Sequence, residues 1–281
     1  MTPTEAPVGR LLVCPTPIGN LEDVTLRVLR VLGEVEVVAC EDTRHTRLLI
    51  DRHGISAQLV SFHEHNEGAR AEELTGRIAE GAQVALVSDA GMPLVSDPGF
   101  ALVRACLLAG LPVEVLPGPS AVMTALVASG LPAESWRFVG FLPRGKGELE
   151  ALLEGAEETL VAFESPHRLV ATLELLAARD PERPVAVCRE LTKLHEEVRR
   201  GSASELAEAY RERAPRGEVV LVCGAAPAGR LSREQALASV RELIEAGARA
   251  RPAATAVAKL TGLGANELYR ELLDEGGAST R

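Results

Sequence analysis

Along the first 118 residues a β-branched run repeatedly stops at a Gly-, Pro- or Asn-rich break and gives way to apolar residues spaced near 3.6. That alternation constrains the fold more than any other feature of the chain. Strand "RLLVCPT" (10–16) leads through "PIGNLEDVT" to helix "LRVLRVLGEV" (26–35), strand "EVVAC" (36–40) and a polar turn "EDTRHT" (41–46). Strand "AQLVSFHE" (57–64), helix "ARAEELTGRIAEG", strand "QVALVSDAG" (83–91), helix "GFALVRACLLAG" and strand "PVEVLPG" (112–118) follow. Gly81 and Gly110 stand just past their helices, where a residue in the left-handed region closes the last turn. Strands alternating with helices imply an α/β fold with a mostly parallel sheet covered on both faces.

A connecting helix in "PGPSAVMTALVASGLP", capped by Ser120, introduces a second α/β set with a mixed sheet. Its strands are "WRFVGFLP", "ETLVAFES", "PVAVCREL", "EEVRRGS" and "GEVVLVCG", and its helices "KGELEALLEG", "PHRLVATLELLAAR" and "SASELAEAYRER". From Ser232 strand signals stop, and three alanine-rich helical periods separated by Gly and Pro read as a small helix-turn-helix-like appendage. The expected division is therefore 1–118 and 119–229 as two α/β domains and 230–281 as a helical segment.

With 46% hydrophobic and 25% charged residues, the chain belongs to the soluble globular class rather than the disordered one. Apolar runs such as "EVVLVC" are far shorter than the ~20 residues of a membrane span, and the first residues lack a basic-then-apolar signal layout. A cytoplasmic protein without a membrane partner is expected. Cys14, Cys40, Cys106, Cys188 and Cys223 have no C-x-x-C spacing and mostly apolar neighbours, so buried free thiols are expected instead of disulfides or zinc. A net charge of −10 excludes a broadly basic nucleic-acid surface, so any RNA grip must come from local clusters. Lys146, Lys193 and Lys259 are the only lysines, which leaves arginine as the main phosphate ligand.

In open α/β sheets, ligands bind outside the carboxyl ends of the strands. The loops there read "PTPIGNLEDVT", "CEDTRHTR", "SFHEHNE", "VSDAGMPLVSDPG", "LPGPSA", "FESPHR", "RELTK" and "RGEV". Neither G-x-G-x-x-G nor G-x-x-x-x-G-K-[ST] occurs, which argues against a dinucleotide site or a P-loop. Asp23, two residues before Thr25, is a candidate cap of the next helix as well as a site residue. Asp42 and Arg44 suit a local ion pair. His63 and His65, two apart, would share one strand face as metal ligands do, but no third ligand stands at a suitable spacing and no metal is expected.

Taken together, "PTPIGNLEDVTLR", "EDTRHTRLL", "SFHEHNE", "SDAGMPLVSDPG", "LPGPSA", "FVGFLPR", "FESPHRL" and "RELTKLHEE" resemble the tetrapyrrole-methylase-like (class III) S-adenosylmethionine methyltransferases. The resemblance runs from about Leu11 to the C-terminus. It implies two α/β domains with S-adenosylmethionine in the cleft between them, usually as a homodimer. The branch most resembled transfers a methyl group to the ribose 2′-hydroxyl of a cytidine in the decoding region of 16S rRNA within the 30S subunit.

By position, the resemblance places Pro17, Ile18, Gly19, Ser88, Asp89, Gly91, Met92, Pro93, Val95, Ser120, Ala121, Glu164, Ser165, Leu191 and Glu218 beside the cofactor. Asn20, Glu41, Arg44, Arg47, Glu64, His65, Asn66, Arg144 and Lys146 fall to the RNA, and Asp23, Asp42, His63 and Lys193 to the chemistry. Met92 stands where many tetrapyrrole enzymes have aspartate, so Asp89 or Asp97 is expected to supply a carboxylate. Arg44, Arg47, Arg144, Lys146 and Lys193 are expected in strand-end loops rather than on helix faces. Two other readings compete: a small-molecule methyltransferase of the precorrin type, and a non-enzymatic nucleic-acid binder built on the last helices. An arginine-rich rim and an added helical segment speak against the first, and so many cofactor-type loops against the second.

From Arg230 to Arg281 eight cations (Arg230, Arg233, Arg241, Arg249, Arg251, Lys259, Arg270, Arg281) face seven acids (Glu234, Glu242, Glu245, Glu267, Glu271, Asp274, Glu275), a balance of +1 in an otherwise acidic chain. Such a segment can approach RNA, or serve only in packing.

Overall fold

In the computed structural model residues 9–212, 215–226, 233–261 and 263–277 are described. The first sheet is built from β1 (Arg10–Val13), β2 (Val37–Cys40), β3 (Gln58–Ser61), β4 (Gln83–Val87) and β5 (Val113–Val115), in the order β3-β2-β4-β1-β5. Between them run α1 (Leu26–Glu34), α2 (Thr43–Arg52), α3 (Glu67–Ala79) and α4 (Phe100–Leu108), and α5 (Ala121–Ser129) follows. Every pairing within this sheet is parallel, for example Leu11 with Val84 and Val113, and Val38 with Ala85 and Leu59.

Strand side chains alternate between faces, and both faces are covered. Leu12, Cys14, Val38, Cys40, Ala85 and Val87 pack with Val28, Val31 and Leu32 of α1 and Leu49 and Ile50 of α2. Leu11, Val13, Val37, Ala39, Val84 and Leu86 pack on the other face with Ala71, Leu74 and Ile78 of α3 and Leu102 and Cys106 of α4. Two covered faces explain why these strands read as continuous apolar runs.

The chain order creates a switch point. From β1 it crosses over α1, on one face, toward β2; from β4 it crosses over α4, on the opposite face, toward β5. β1 and β4 are neighbours, so their outgoing loops part in opposite directions and leave a crevice at their carboxyl ends.

The segment "EDTRHT" is not a turn. Asp42 caps α2, its carboxylate accepting from Arg44 N, and Thr46, Leu49 and Ile50 form the buried side of that helix. A short apolar stripe on a polar helix hid it in the sequence, and the cap is what starts it.

The remaining strands, β6 (Trp136–Phe141), β7 (Thr159–Glu164), β8 (Pro184–Arg189), β9 (Glu197–Ser202) and β10 (Val219–Cys223), form a second sheet in the order β6-β7-β10-β8-β9, with β6 and β7 parallel. They are accompanied by α6 (Lys146–Glu154), α7 (Leu169–Arg179) and α8 (Ala203–Glu212). The chain divides into two compact units: one runs to Ala128 and takes in Cys188–Val198 and Gly217–Val220, and the other takes the rest. A border at 229/230 lies outside the described residues, as do Arg230, Ser232 and Arg281.

Beyond it, α9 (Arg233–Glu245), α10 (Ala250–Thr261) and α11 (Ala265–Gly277) share a small core of Ala236, Leu237, Val240, Ala253, Ala254, Val257, Ala258 and Leu268. All five cysteines are buried free thiols, and burial pushes Cys14 up to about 12 and Cys223 to about 11, which leaves both unreactive. No helix among the described residues is long and apolar enough to cross a membrane.

Candidate functional site

The crevice predicted by the strand order is closed at its floor by backbone. Thr16, just past β1, and Gly91, just past β4, exchange hydrogen bonds: Thr16 N donates to Gly91 O at 2.9 Å and Gly91 N to Thr16 O at 3.0 Å. Two side chains lock this bridge, Thr16 Oγ1 donating to Ser88 O at 3.0 Å and Ser88 Oγ to Gly91 O at 3.1 Å. Gly91 has φ +80°, and a Cβ there would lie 3.2 Å from Ile18 Cγ2, 3.6 Å from Pro119 O and 4.0 Å from Ser120 Cα. Three segments expected beside a cofactor, at Pro17–Gly19, Ser88–Pro93 and Ser120–Ala121, therefore converge on one glycine. Ser120 starts α5, its carbonyl accepting from Thr124 N at 3.0 Å and from Thr124 Oγ1 at 2.8 Å.

The loop after Gly91 is strained. Leu94 and Ser96, neither a glycine, have φ +72° and +66°, a conformation that costs roughly 1–2 kcal/mol each. Glu67, at the start of α3, secures its far end: one carboxylate oxygen accepts from Gly99 N and Ala101 N, both at 3.0 Å, at the open amino end of α4. Pro93 is buried, and Met92, Val95 and Asp97 are partly so.

A second strained turn closes against the β1 loop. Glu190 and Thr192 have φ +51° and +64°. A Cβ on Gly19 would fall 2.5 Å from Lys193 Cγ, 2.7 Å from Thr192 Oγ1 and 2.9 Å from Leu191 O, so only glycine fits. Asn20 N donates to Thr192 Oγ1 at 3.0 Å, and Asn20 Oδ1 accepts from Glu22 N, which starts a 3-10 turn over Leu21–Asp23. Asp23 is exposed in that turn, and the cap of α1 is Thr25, which accepts from Val28 N at 3.1 Å. Lys193 Nζ lies 2.9 Å from both Glu190 Oε1 and Glu218 Oε2. Burial works against its charge, yet the hydrogen bonds to Glu218 and Glu190 prevail and raise its pKa.

Carboxylates crowd the same end of the sheet. Asp97 is pushed up to about 6, first by burial and then by Glu41, with Asp89 and Glu218 adding to it against a hydrogen bond from Ser88. Glu41 is raised by burial and by Asp89. Asp42 goes the other way, to about 2, because Arg44 binds its carboxylate with Nη2 2.6 Å from Oδ2 and Nε 3.0 Å from Oδ1. Asp89 accepts from Asp42 N at 3.0 Å, and His45 Nδ1 stands 3.9 Å from its other oxygen.

His63 and His65 lie past the end of β3, not on one strand face, with ring centroids 5.9 Å apart. Asn66 fixes the first: its Oδ1 accepts from His63 N at 2.8 Å, while its Nδ2 donates to Ser61 O and sits 3.4 Å from His63 Nε2. Nε2 is thus an acceptor, which leaves the proton on Nδ1. That buried atom has no partner among the described residues. No group of three His, Cys, Asp or Glu able to hold a metal occurs among the described residues.

Glu164, Ser165, Arg144 and Lys146 sit in the other unit. Glu164 is buried at the end of β7, accepting from Thr172 Oγ1 at 2.6 Å and Ser165 N at 2.7 Å, with Arg168 Nε 3.5 Å away. Arg144 is exposed in the loop after β6. Lys146 opens α6, and Arg44 and Arg47 lie on α2, so the expectation that these three occupy strand-end loops is corrected. Glu67, Glu190 and Thr192 do structural work that the loops did not single out. Long-range contacts set all three roles, although Glu67 is the last letter of the quoted "SFHEHNE".

A parallel sheet with a switch-point crevice, a glycine floor and a rim of carboxylates is the arrangement of an α/β protein that binds ligands at its strand ends. The chain belongs to the tetrapyrrole (corrin/porphyrin) methylase family, which matches residues 10–207. Among solved structures it is similar to a uroporphyrin-III-C-methyltransferase from Thermus thermophilus, with a TM-score of 0.57 and 30% identity over 77% of this chain and 94% of that one. Among curated proteins it is 46% identical, over 95% of its length and 88% of the relative's, to ribosomal RNA small subunit methyltransferase I of Micromonospora olivasterospora. It is 42% identical to the protein of that name from Escherichia coli O157:H7, over 96% of both chains.

Proposed function

We propose that this chain is an S-adenosylmethionine-dependent methyltransferase of small-subunit ribosomal RNA, and that it methylates the ribose 2′-hydroxyl of a cytidine. The observation that carries the reading is the extent of the likeness: identity of 42–46% persists over 95% or more of the chain. The 30% identity to the uroporphyrin enzyme favours the second reading, methyl transfer to a tetrapyrrole. The higher identity and the fuller coverage decide between them.

The residues present fit the cofactor. Gly91 and Gly19, lacking a Cβ, let the loops that line the crevice pack closely, on Ile18 and Pro119–Ser120 and on Leu191–Lys193. Beyond burial, Asp89 raises the cost of ionising Glu41, and Glu41 and Asp89 that of Asp97, and a ligand carrying sulfonium and ammonium charges relieves that repulsion. Bound, S-adenosylmethionine supplies an already activated methyl group. The chain must then align the hydroxyl oxygen with it and accept a proton.

His63 Nδ1–H, a buried donor without a partner among the described residues, is suited to orient the ribose oxygen. Asp97, near 6, is the carboxylate suited to take the proton at neutral pH. Lys193, held as a cation by Glu190 and Glu218, fixes the turn against Gly19. Asp42 holds Arg44 at the rim, where Arg44 and Arg47 are exposed to meet phosphate. The assembled 30S subunit is the expected substrate form, because a chain of net charge −10 gains little from counterion release on naked RNA. A cytoplasmic homodimer is the expected state.

The test offers radiolabelled S-adenosylmethionine with 30S subunits, free 16S rRNA or uroporphyrinogen III. Label in the RNA of 30S subunits supports the reading. Label in uroporphyrinogen alone overturns it.

A further inference from the structure

Helix α10 carries its residues in strict alternation. Ala253, Ala254, Val257, Ala258 and Thr261 are buried against the neighbouring helices, while Arg251, Pro252, Thr255, Ala256, Lys259 and Leu260 face outward and line one shallow depression. Two features set this face apart. Leu260 is 82% exposed, beside the exposed Pro252 and Ala256, so the floor is aliphatic. At its two ends stand cations, about 12 Å apart along the helix at 1.5 Å per residue. Neither Arg251 nor Lys259 has a carboxylate partner among the described residues; the Arg251 guanidinium lies over the Tyr269 ring, 5.9 Å from its centroid.

The surrounding sequence is equally selective. From Ala246 to Asn266 there are three cations, Arg249, Arg251 and Lys259, and no acid, in a chain of net charge −10. A packing face has no need to exclude carboxylates over 21 residues or to leave Arg251 and Lys259 without a carboxylate among the described residues. A polyanion-binding face needs both.

We propose that the outer face of α10 is an RNA-docking surface, in which Arg251 and Lys259 bind backbone phosphates and Pro252, Ala256 and Leu260 lie against sugar and base. The choice of RNA as the polyanion rests on the proposed function. The face takes no part in the chemical step: it contributes affinity for the ribosomal substrate.

Two phosphate contacts have a measurable salt signature. Each contributes about 0.7–0.9 to the slope of log affinity against log salt, so raising salt from 50 to 200 mM costs about tenfold for the pair. The experiment uses the full chain and its Arg251→Gln/Lys259→Gln variant, with Arg251→Lys/Lys259→Arg as a charge-retaining control. Affinity for a transcribed decoding-region fragment of 16S rRNA is followed by fluorescence anisotropy across that salt range, alongside KM and kcat on 30S subunits.

The native chain is expected to weaken about tenfold more than the Gln variant, which has a raised KM, an unchanged kcat and unchanged S-adenosylmethionine affinity; the control behaves as native. Equal salt slopes in native and Gln chains overturn the proposal. A Gln variant that loses affinity for 30S subunits but not for the fragment overturns it too, in favour of an acidic protein partner. A native chain that binds the fragment with the full slope yet methylates nothing leaves the docking surface standing and removes the functional reading.

Discussion

Replacing Gly91 with alanine tests the floor of the crevice directly. An L residue at φ +80° costs about 1–2 kcal/mol, and the new Cβ sits 3.2 Å from Ile18 Cγ2, closer than comfortable contact. If the backbone turns to relieve this, the paired hydrogen bonds with Thr16 lengthen, at about 1 kcal/mol each. The lower entropy of the unfolded alanine chain offsets about 0.4–1 kcal/mol, which leaves a net loss of roughly 2–3 kcal/mol. Gly54 and Gly110 provide the controls. Their φ values are +64° and +69°, with nothing within 4 Å of an added Cβ, so alanine there costs only about 1 kcal/mol net. Urea unfolding measures stability, and calorimetry measures S-adenosylmethionine binding. Gly91→Ala is expected to lose at least tenfold in affinity, while Gly54→Ala and Gly110→Ala bind as the native chain does. A folded Gly91→Ala protein with native affinity refutes the assignment of this crevice to the cofactor.

Asp97, raised to about 6 in the fold, favours its protonated form there. The stability it lends is complete below the unfolded carboxylate range and is lost as pH rises through about 6. Asp97→Asn should therefore flatten the fall in melting temperature between pH 4 and pH 7 and abolish methyl transfer; an unchanged melting profile or full activity counts against its burial or its role. Leu74→Ala, at a fully buried α3 position, should destabilise by about 2–5 kcal/mol in urea, and a loss below 1 kcal/mol would mean that α3 is not packed on the sheet as described. Arg47→Ala should reduce the salt slope of RNA binding by about 0.7–0.9 and spare S-adenosylmethionine affinity; an unaltered slope makes it an ordinary surface charge.

The strands and most helices were legible because burial on both sheet faces imposes continuous apolar runs, and a glycine follows each of two helices at Gly81 and Gly110. The convergence of "PIG", "GMP" and "PS" on one point was legible only through the resemblance; the strand order that produces it depends on pairings 70 or more residues apart, such as Leu11 with Val84. Helix α2 escaped notice because only Thr46, Leu49 and Ile50 are buried on it, too few to set a period against so many charges. The reach of Glu67 to the amino end of α4 and the strained turn at Glu190–Thr192 have no local signature at all, since a carboxylate's partner or a positive φ outside glycine is settled by tertiary contacts.

Methylation of a ribose in small-subunit RNA is read out by mass-spectrometric mapping of 16S rRNA from cells with and without the gene. One cytidine nucleotide in the decoding region is expected to carry a methyl group on its ribose only when the gene is present. Identical ribose methylation in the two RNA preparations would contradict it.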